Sequence, residues 1–185
     1  MIDETMMETE EKMENAVSSL LHEFARISTG RANPAMLDSV LVEYYGTKTP
    51  LNQLANISIP EGNQLLVKPF DKNSIKDVEK AINAANLGVN PNNEGDQIRI
   101  VLPQLDESRR KELVKQVKKL AENARVKIRN ARREANETIK KLEKKSELTE
   151  DNSNDYQEEV QELTDKYIGK VDAELKSKED DLMTV

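Results

Sequence analysis

The sequence predicts an α+β fold in which an elongated three-helix bundle carries a small inserted β/α/β domain. Three segments, near residues 4–28, 107–146 and 150–183, repeat apolar residues every three or four positions, as a helix with one buried stripe does. Between the first two, residues 35–102 are richer in β-branched residues and in turn-forming Gly, Pro and Asn. The chain is 36% hydrophobic and 34% charged, a balance that suits an elongated helical body.

The three long segments predict a bundle because each of them has a single apolar stripe to bury. We expect residues 1–30 and 105–185 to form this bundle and residues 31–104 to form the inserted domain. The chain then crosses between domains twice, and two short crossings allow the domains to reorient. The predicted hinge residues are Gly30, Arg31, Pro103, Gln104 and Leu105.

The inserted domain is predicted from strand-like runs that alternate with turn signals. The expected elements are strands at 39–45, 57–59, 64–69 and 97–102, a helical turn or loop at 51–55, a helix that starts at Asn73 or Ser74 and stops before Gly88, and a loop at 90–96. Tyr44, Tyr45 and Phe70 are expected in its core.

The second long helix differs in charge from the rest of the chain. The whole sequence has 28 Lys and Arg against 35 Asp and Glu, whereas residues 109–145 have 15 basic residues against 5 Glu. At about 100° per residue, most of these bases point away from the apolar stripe. The stripe is predicted at Leu113, Val117, Leu120, Ala124, Ile128, Ala131, Ala135, Thr138 and Leu142. A sorted basic face on an acidic protein predicts binding to a polyphosphate.

The basic helix contains no aromatic residue on which an unpaired base could stack. We therefore expect it to contact the backbone and shape of a folded nucleic acid. Two alternatives use the same face: a helical scaffold that binds an acidic protein, and a general RNA-binding chaperone. Binding that weakens steeply with salt would separate RNA from an acidic protein partner.

Catalytic and metal-binding patterns are missing from the sequence. It has no cysteine, one histidine (His22) and no Gly-rich phosphate loop, so no enzyme activity, cofactor or metal site is expected. It also lacks a signal-peptide pattern and any apolar run of about 18 residues. A cytoplasmic monomer without membrane contact is therefore expected.

Several motifs, in order along nearly the whole chain, resemble the ribosome recycling factor family. They are Thr29-Gly30-Arg31-Ala32, residues 42–51 (VEYYGTKTPL), residues 87–91 (LGVNP), Ile98-Arg99, residues 107–111 (ESRRK) and residues 124–136 (ARVKIRNARREAN). The family commonly has Arg immediately before Thr-Gly-Arg, and this chain has Ser28 there.

This resemblance implies a two-domain L shape, similar in outline to transfer RNA, with a flexible joint. It implies binding to the large ribosomal subunit and, with elongation factor G and GTP, the splitting of post-termination ribosomes into subunits. It also implies that arginines of the second bundle helix contact ribosomal RNA. By motif match the expected RNA-binding residues are Arg129 and Arg132, with Arg125, Arg133, Arg109 and Arg110 nearby and Lys118 on the same face.

Overall fold

A computed structural model describes residues 1–27 and 29–184. Ser28, the position at which the sequence departs from the family pattern, lies outside the described residues. The contacts divide the chain into a first unit, residues 1–24 with 111–185, and a second unit, residues 25–110. All the predicted hinge residues lie inside the second unit, and their role as a hinge stays a prediction.

The helices and strands confirm the α+β class. The helices are α1 (Ile2–Ala25), α2 (Leu51–Leu54), α3 (Ile75–Ala84), α4 (Glu107–Lys144) and α5 (Glu150–Met183). The strands are β1 (Leu41–Tyr44), β2 (Thr47–Pro50), β3 (Ala55–Ser58), β4 (Gln64–Pro69), β5 (Asn90–Asn93) and β6 (Ile98–Val101). Short 3₁₀ turns occupy Pro34–Leu37 and Lys72–Ser74.

In the first unit, α1 and α5 bury most of the stripes that the periodicity predicts, although the predicted members Met6, Tyr156, Leu163 and Leu175 are only partly buried. The buried apolar residues are Met13, Ala16, Val17, Leu20 and Phe24 of α1 and Val160, Tyr167, Val171 and Leu182 of α5. Two buried hydroxyls on α5 are satisfied: Ser153 donates to a carboxylate oxygen of Glu143 at 2.9 Å, and Thr164 donates to the carbonyl oxygen of Val160 at 2.7 Å. Both therefore escape the desolvation cost of an unpaired polar group.

One hydrogen bond joins α5 to α1 across the first unit. The hydroxyl of Tyr167 donates to Oε1 of Glu10 at 3.1 Å, and the Tyr167 side chain is buried. Burial, together with the hydrogen bond to Glu10, raises the pKa of Tyr167 to about 12. The phenol therefore stays protonated, and able to donate this bond, well above neutral pH.

The second unit contains two antiparallel sheets. Strands β1 and β2 form a hairpin, and the larger sheet has the order β3-β4-β6-β5. The core joins the inward residues of β4 and β6 to α3: Leu65, Val67, Ile98 and Ile100 pack with Val78 and Ile82. The alternating burial along β4 and β6 shows that one face of the sheet covers this core.

Two expectations for the second unit are wrong. The segments 47–50 and 90–93 are strands, although 90–93 was expected as a loop, because their backbones pair with β1 and β6 while their side chains give no apolar alternation. The expected start of α3 is confirmed, since Ser74 is its N-cap residue, although its side chain makes no capping hydrogen bond. Asp71 caps the preceding 3₁₀ turn, where its side chain accepts from the backbone of Asn73 at 2.9 Å. The helical turn at 51–54 and the strand at 64–69 are confirmed.

The second error concerns the aromatic residues that were expected in the core. The side chain of Tyr45 is 80% exposed and that of Phe70 is 72% exposed, while Tyr44 is partly buried. Tyr45 lies in the turn of the β1–β2 hairpin, and Phe70 follows the end of β4, where neither ring can reach the core side of a sheet. The surface of the second unit therefore carries aromatic rings.

Metal-binding clusters and membrane-spanning helices are absent from the described part of the chain. No group of three or more His, Cys, Asp or Glu residues in it is arranged to hold a metal ion. Within those same residues, no helix combines the length and the apolar character that crossing a membrane requires.

Candidate nucleic-acid interface

Helix α4 is continuous over 38 residues and is therefore roughly 57 Å long. Its start is capped by Asp106, whose Oδ1 accepts from the backbone nitrogen of Arg109 at 2.7 Å. At its end Ser146 has a φ of +60°, and the backbone nitrogen of Glu147 donates to the carbonyl oxygen of Leu142 at 2.9 Å. Thr149 then caps the start of α5.

The buried stripe of α4 differs from the predicted one at two positions. Leu120 and Thr138 are only partly buried, whereas Ala121 and Ile139 are fully buried. Stepping four residues, from Val117 to Ala121 and from Ala135 to Ile139, keeps these side chains on the buried side of the helix. A step of three would turn them further from it, because the helix has 3.6 residues per turn. The complete stripe is Leu113, Val117, Ala121, Ala124, Ile128, Ala131, Ala135, Ile139 and Leu142.

On a helical wheel, the side of α4 opposite this stripe is basic. We call it the basic face: Lys111, Lys115, Lys118, Lys119, Arg129, Arg133, Lys140 and Lys144. The lysines among them and Arg133 are exposed, and Arg129 is partly exposed. The placement of Lys118 and Arg133 on this face agrees with the direction expected from the sequence.

The flank of α4 that faces α1 holds an acidic residue instead. Nζ of Lys12 on α1 lies 2.5 Å from Oε2 of Glu134, and both side chains are more than half exposed. A groove of about 360 Å³ lies beside this pair and is lined also by Asn15, Lys127 and Asn130. Glu134 thus forms an ion pair with Lys12 of α1 and does not neutralise the basic face.

Two glutamates lie within the basic face: Glu137, in the same helical direction as Lys119, and Glu122, whose pairing the sequence analysis does not predict. Glu122 accepts from Nη2 of Arg129 and, at 3.1 Å, from Nη1 of Arg125. The hydrogen bond from Arg129, followed by that from Arg125, lowers the pKa of Glu122. The spacing of three and seven residues along one helix is the signal that could have revealed these pairs. Glu122 therefore orients Arg129 while leaving its side chain 41% exposed.

Arg125 is engaged inside the bundle. Its Nε and Nη2 donate to Oδ1 of Asp172 on α5 at 2.9 and 2.7 Å, and its side chain is only 21% exposed. Desolvation lowers the pKa of Arg125, but the hydrogen bonds to Asp172 and Glu122 outweigh it and raise the pKa. This geometry favours a role for Arg125 in joining α4 to α5; its assignment to RNA stays a prediction.

Arg132 also lies where α4 packs against α5, and one nitrogen of its guanidinium is hydrogen-bonded there. Its Nη1 donates to Oε1 of Gln161 on α5 at 2.7 Å, and Nε2 of Gln161 donates to Asp165 at 2.9 Å. Nε of Arg132 and Oδ1 of Asn136, one turn later, are buried without a hydrogen-bond partner. Gln161 holds the guanidinium at the edge of the basic face, where it retains unused donors.

The other predicted RNA-binding residues differ from one another in exposure and in hydrogen bonding. Arg133 and Lys118 are exposed and make no hydrogen bond or ion pair with the residues that the structure describes. Arg109 is exposed, and Arg110 is partly buried with its Nε unpartnered. Arg109 and Arg110 lie about five helical turns before Arg129, so they cannot share one small contact with it.

The predicted hinge residues come together on two adjacent chain segments. Gly30 has a φ of +80°, and a Cβ added there would lie 3.9 Å from both Cγ of Leu105 and the carbonyl oxygen of Pro103. Arg31, Pro103 and Gln104 are exposed. The left-handed backbone at Gly30 is one that other L-residues rarely adopt.

A model of the ribosome recycling factor family matches residues 20–183. The ribosome-recycling factor of Bacillus subtilis (strain 168) is 51% identical over 185 residues, which cover 100% of both chains. The chain belongs to the ribosome recycling factor family. The factor of Thermosynechococcus vestitus is 52% identical over 180 residues, covering 97% of this chain and 99% of that relative. Ribosome recycling, a step of protein biosynthesis, is thus the process in which the chain acts.

Solved structures of the family share the fold. A solution structure of the ribosome recycling factor matches with a TM-score of 0.84 at 41% identity, covering 100% of this chain and 98% of that one. A second match has a TM-score of 0.69 at 43% identity and covers 100% of both chains. It models the T. thermophilus ribosome recycling factor and the E. coli elongation factor G bound to the E. coli post-termination complex.

The contrast between Arg125 and Arg133 predicts different effects on stability. Arg125→Ala removes the ion pair between α4 and α5 and should lower the free energy of unfolding by about 0.5–1 kcal/mol. Arg133→Ala, the matched control, removes an exposed side chain without a partner and should change it by less than about 0.5 kcal/mol. Urea denaturation followed by helical circular dichroism measures both, and equal losses would contradict the structural role of Arg125.

Proposed function

We propose that this chain, together with elongation factor G and GTP, dissociates post-termination ribosomes into subunits. In this proposal the basic face of α4 docks on ribosomal RNA of the large subunit, and the second unit transmits the action of the GTPase. The relative bound with elongation factor G to a post-termination complex supports these partners. GTP hydrolysis belongs to elongation factor G, and this chain contributes binding and leverage as a monomer.

The observation that carries the proposal is the basic face on an otherwise acidic chain. Residues 109–145 hold 15 Lys and Arg against 5 Glu, although the whole chain has a net charge of −7. The long basic face presents repeated positive charge to the negative charges of an RNA backbone. The acidic remainder reduces attachment to arbitrary polyanions, which favours binding where shape also fits.

The arginines near the middle of α4 are the strongest candidates for phosphate contacts. Arg129, Arg132 and Arg133 lie within one and a half turns, and each guanidinium keeps donors that no residue of the bundle occupies. Arginine pairs with phosphate through two parallel hydrogen bonds, which fixes orientation as well as adding affinity. With no aromatic residue on α4, these contacts read backbone and shape and not base identity.

A rigid rod suits a mechanical role. Helix α4 is unbroken and its stripe is buried along its full length, so force applied at one end is transmitted along it. In this proposal the pivot is at the adjacent chain segments Gly30 and Pro103–Leu105, both within the second unit. The GTPase would act on the second unit while the bundle stays docked.

Loss of a phosphate contact should weaken binding without loss of fold. Arg129→Ala, Arg132→Ala and Arg133→Ala should each lower the affinity for isolated large subunits about three- to tenfold and reduce the slope of log affinity against log salt by about one. The control Lys176→Ala removes the same charge from an exposed position on α5. Filter binding across a salt series measures this, with melting temperature as the test of fold.

The result also separates the alternatives. If all three arginine variants bound large subunits as tightly as the wild-type chain, the basic face would not be the docking surface. Equal competition by arbitrary structured RNA would indicate a general RNA-binding protein, and binding that hardly depends on salt would indicate a protein scaffold.

The pivot should be visible as a change in distance between the units. The chain has no cysteine, so single cysteines at exposed Lys176 and Lys76 allow specific labelling with a dye pair. Single-molecule energy transfer on post-termination ribosomes should shift when elongation factor G and GTP are added. One unchanging efficiency before and after the addition would exclude the pivot.

A further inference from the structure

The carboxylate of Glu122 lies in the middle of the basic face, near the midpoint of α4. Lys118 and Lys119 precede it by about one helical turn, and Arg125 and Arg129 follow it by about one and two turns. Cations therefore flank this glutamate on both sides along the helix. Its side chain is 52% exposed, so the carboxylate is presented to any molecule that docks on this face.

The packing of the bundle does not require this carboxylate. Arg125 is already anchored to Asp172 of α5 by two hydrogen bonds, at 2.9 and 2.7 Å, and its bond to Glu122 at 3.1 Å is an addition to them. An ion pair as exposed as that between Glu122 and Arg129 contributes little to stability, since water screens it. Folding alone therefore gives little reason for an acidic residue at this position.

For the binding of phosphate, the same carboxylate is unfavourable. It stays ionised at neutral pH, because the hydrogen bond from Arg129, followed by that from Arg125, lowers the pKa of Glu122. It removes one net charge from the basic face and occupies Nη2 of Arg129, a donor that a phosphate oxygen could otherwise use. A phosphate placed over Glu122 is repelled, while the cations on either side attract phosphates elsewhere on the face.

One point of repulsion on an attractive face distinguishes ligands by where their charges lie. An RNA duplex repeats its phosphates closely and regularly, so a duplex that lies along α4 brings phosphates near Glu122. A folded RNA whose backbone turns away at this point avoids the repulsion and still reaches Arg132 and Arg133. An unfavourable contact with the wrong ligand is a general source of specificity.

We infer that Glu122 is a specificity-determining residue, whose carboxylate rejects structured RNA that places a phosphate at the middle of the basic face and tolerates the ribosomal RNA site. The inference rests on the proposed function, in which this face docks on ribosomal RNA. It adds the means by which that site is selected over other RNA. The ribosomal RNA then leaves a gap between phosphates opposite Glu122.

Neutralising Glu122 should raise the affinity for the wrong RNA and hardly change that for the right one. Glu122→Gln keeps the size of the side chain and removes its charge, so it should bind an unrelated RNA duplex about tenfold more tightly and large subunits less than about twofold more tightly. The slope of log affinity against log salt for the duplex should steepen by about one. Filter binding measures both ligands, and Glu122→Asp, which keeps the charge, should discriminate as the wild-type chain does.

Glu137→Gln is the matched control. It removes the same charge from the edge of the basic face, about four helical turns further along α4. Glu137 makes no hydrogen bond or ion pair with the described residues, and its replacement should raise the affinity for the duplex less than about threefold. The melting temperatures of all these variants should stay within about 3 °C of the wild-type value.

The inference and the proposed function fail in different ways. The role of Glu122 would be overturned if Glu122→Gln bound the duplex no more tightly, tightened both ligands by one factor, weakened binding to large subunits, or behaved like Glu137→Gln. Docking through the basic face would survive each of these results. That docking would fail instead if Arg133→Ala bound large subunits as tightly as the wild-type chain.

Discussion

Burial of one continuous stripe along α4 is the constraint on which the other features depend. Four of its nine buried positions are alanine, which lets neighbouring helices approach closely along the rod. Because only one side of the helix is buried by that stripe, charged residues can occupy the other sides. The side facing α1 pairs Glu134 with Lys12, the side facing α5 pairs Arg125 with Asp172, and the outer side is left basic.

The arginines of α4 have different environments because of this packing. Arg125 and Arg132 lie towards α5, and their partners Asp172 and Gln161 are 47 and 29 residues away in sequence. Arg133 points outwards and has no such partner in the described chain. Charge pattern alone predicts that the helix is basic, but it cannot predict which bases the bundle neutralises, since that depends on the register between two helices.

The elements best predicted from sequence are those whose side chains repeat with a strong period, namely α1, α4, α5 and strand β4. The segments 47–50 and 90–93 were not predicted because main-chain pairing alone makes them strands. Tyr45 and Phe70 were misplaced because aromatic residues are usually buried, and only the turn geometry shows that these rings point outwards. The charge pattern predicts only a polyphosphate ligand, and the expectation of ribosomal RNA comes from the family resemblance.

The central claim is that docking through α4 is converted into separation of subunits. Light scattering by post-termination ribosomes, mixed with the purified chain, elongation factor G and GTP, measures this directly. We expect a fall in scattering that requires all three components and that slows when Arg129, Arg132 and Arg133 are replaced together by alanine. A fall of equal rate with the triple variant, or no fall with the wild-type chain, would contradict it.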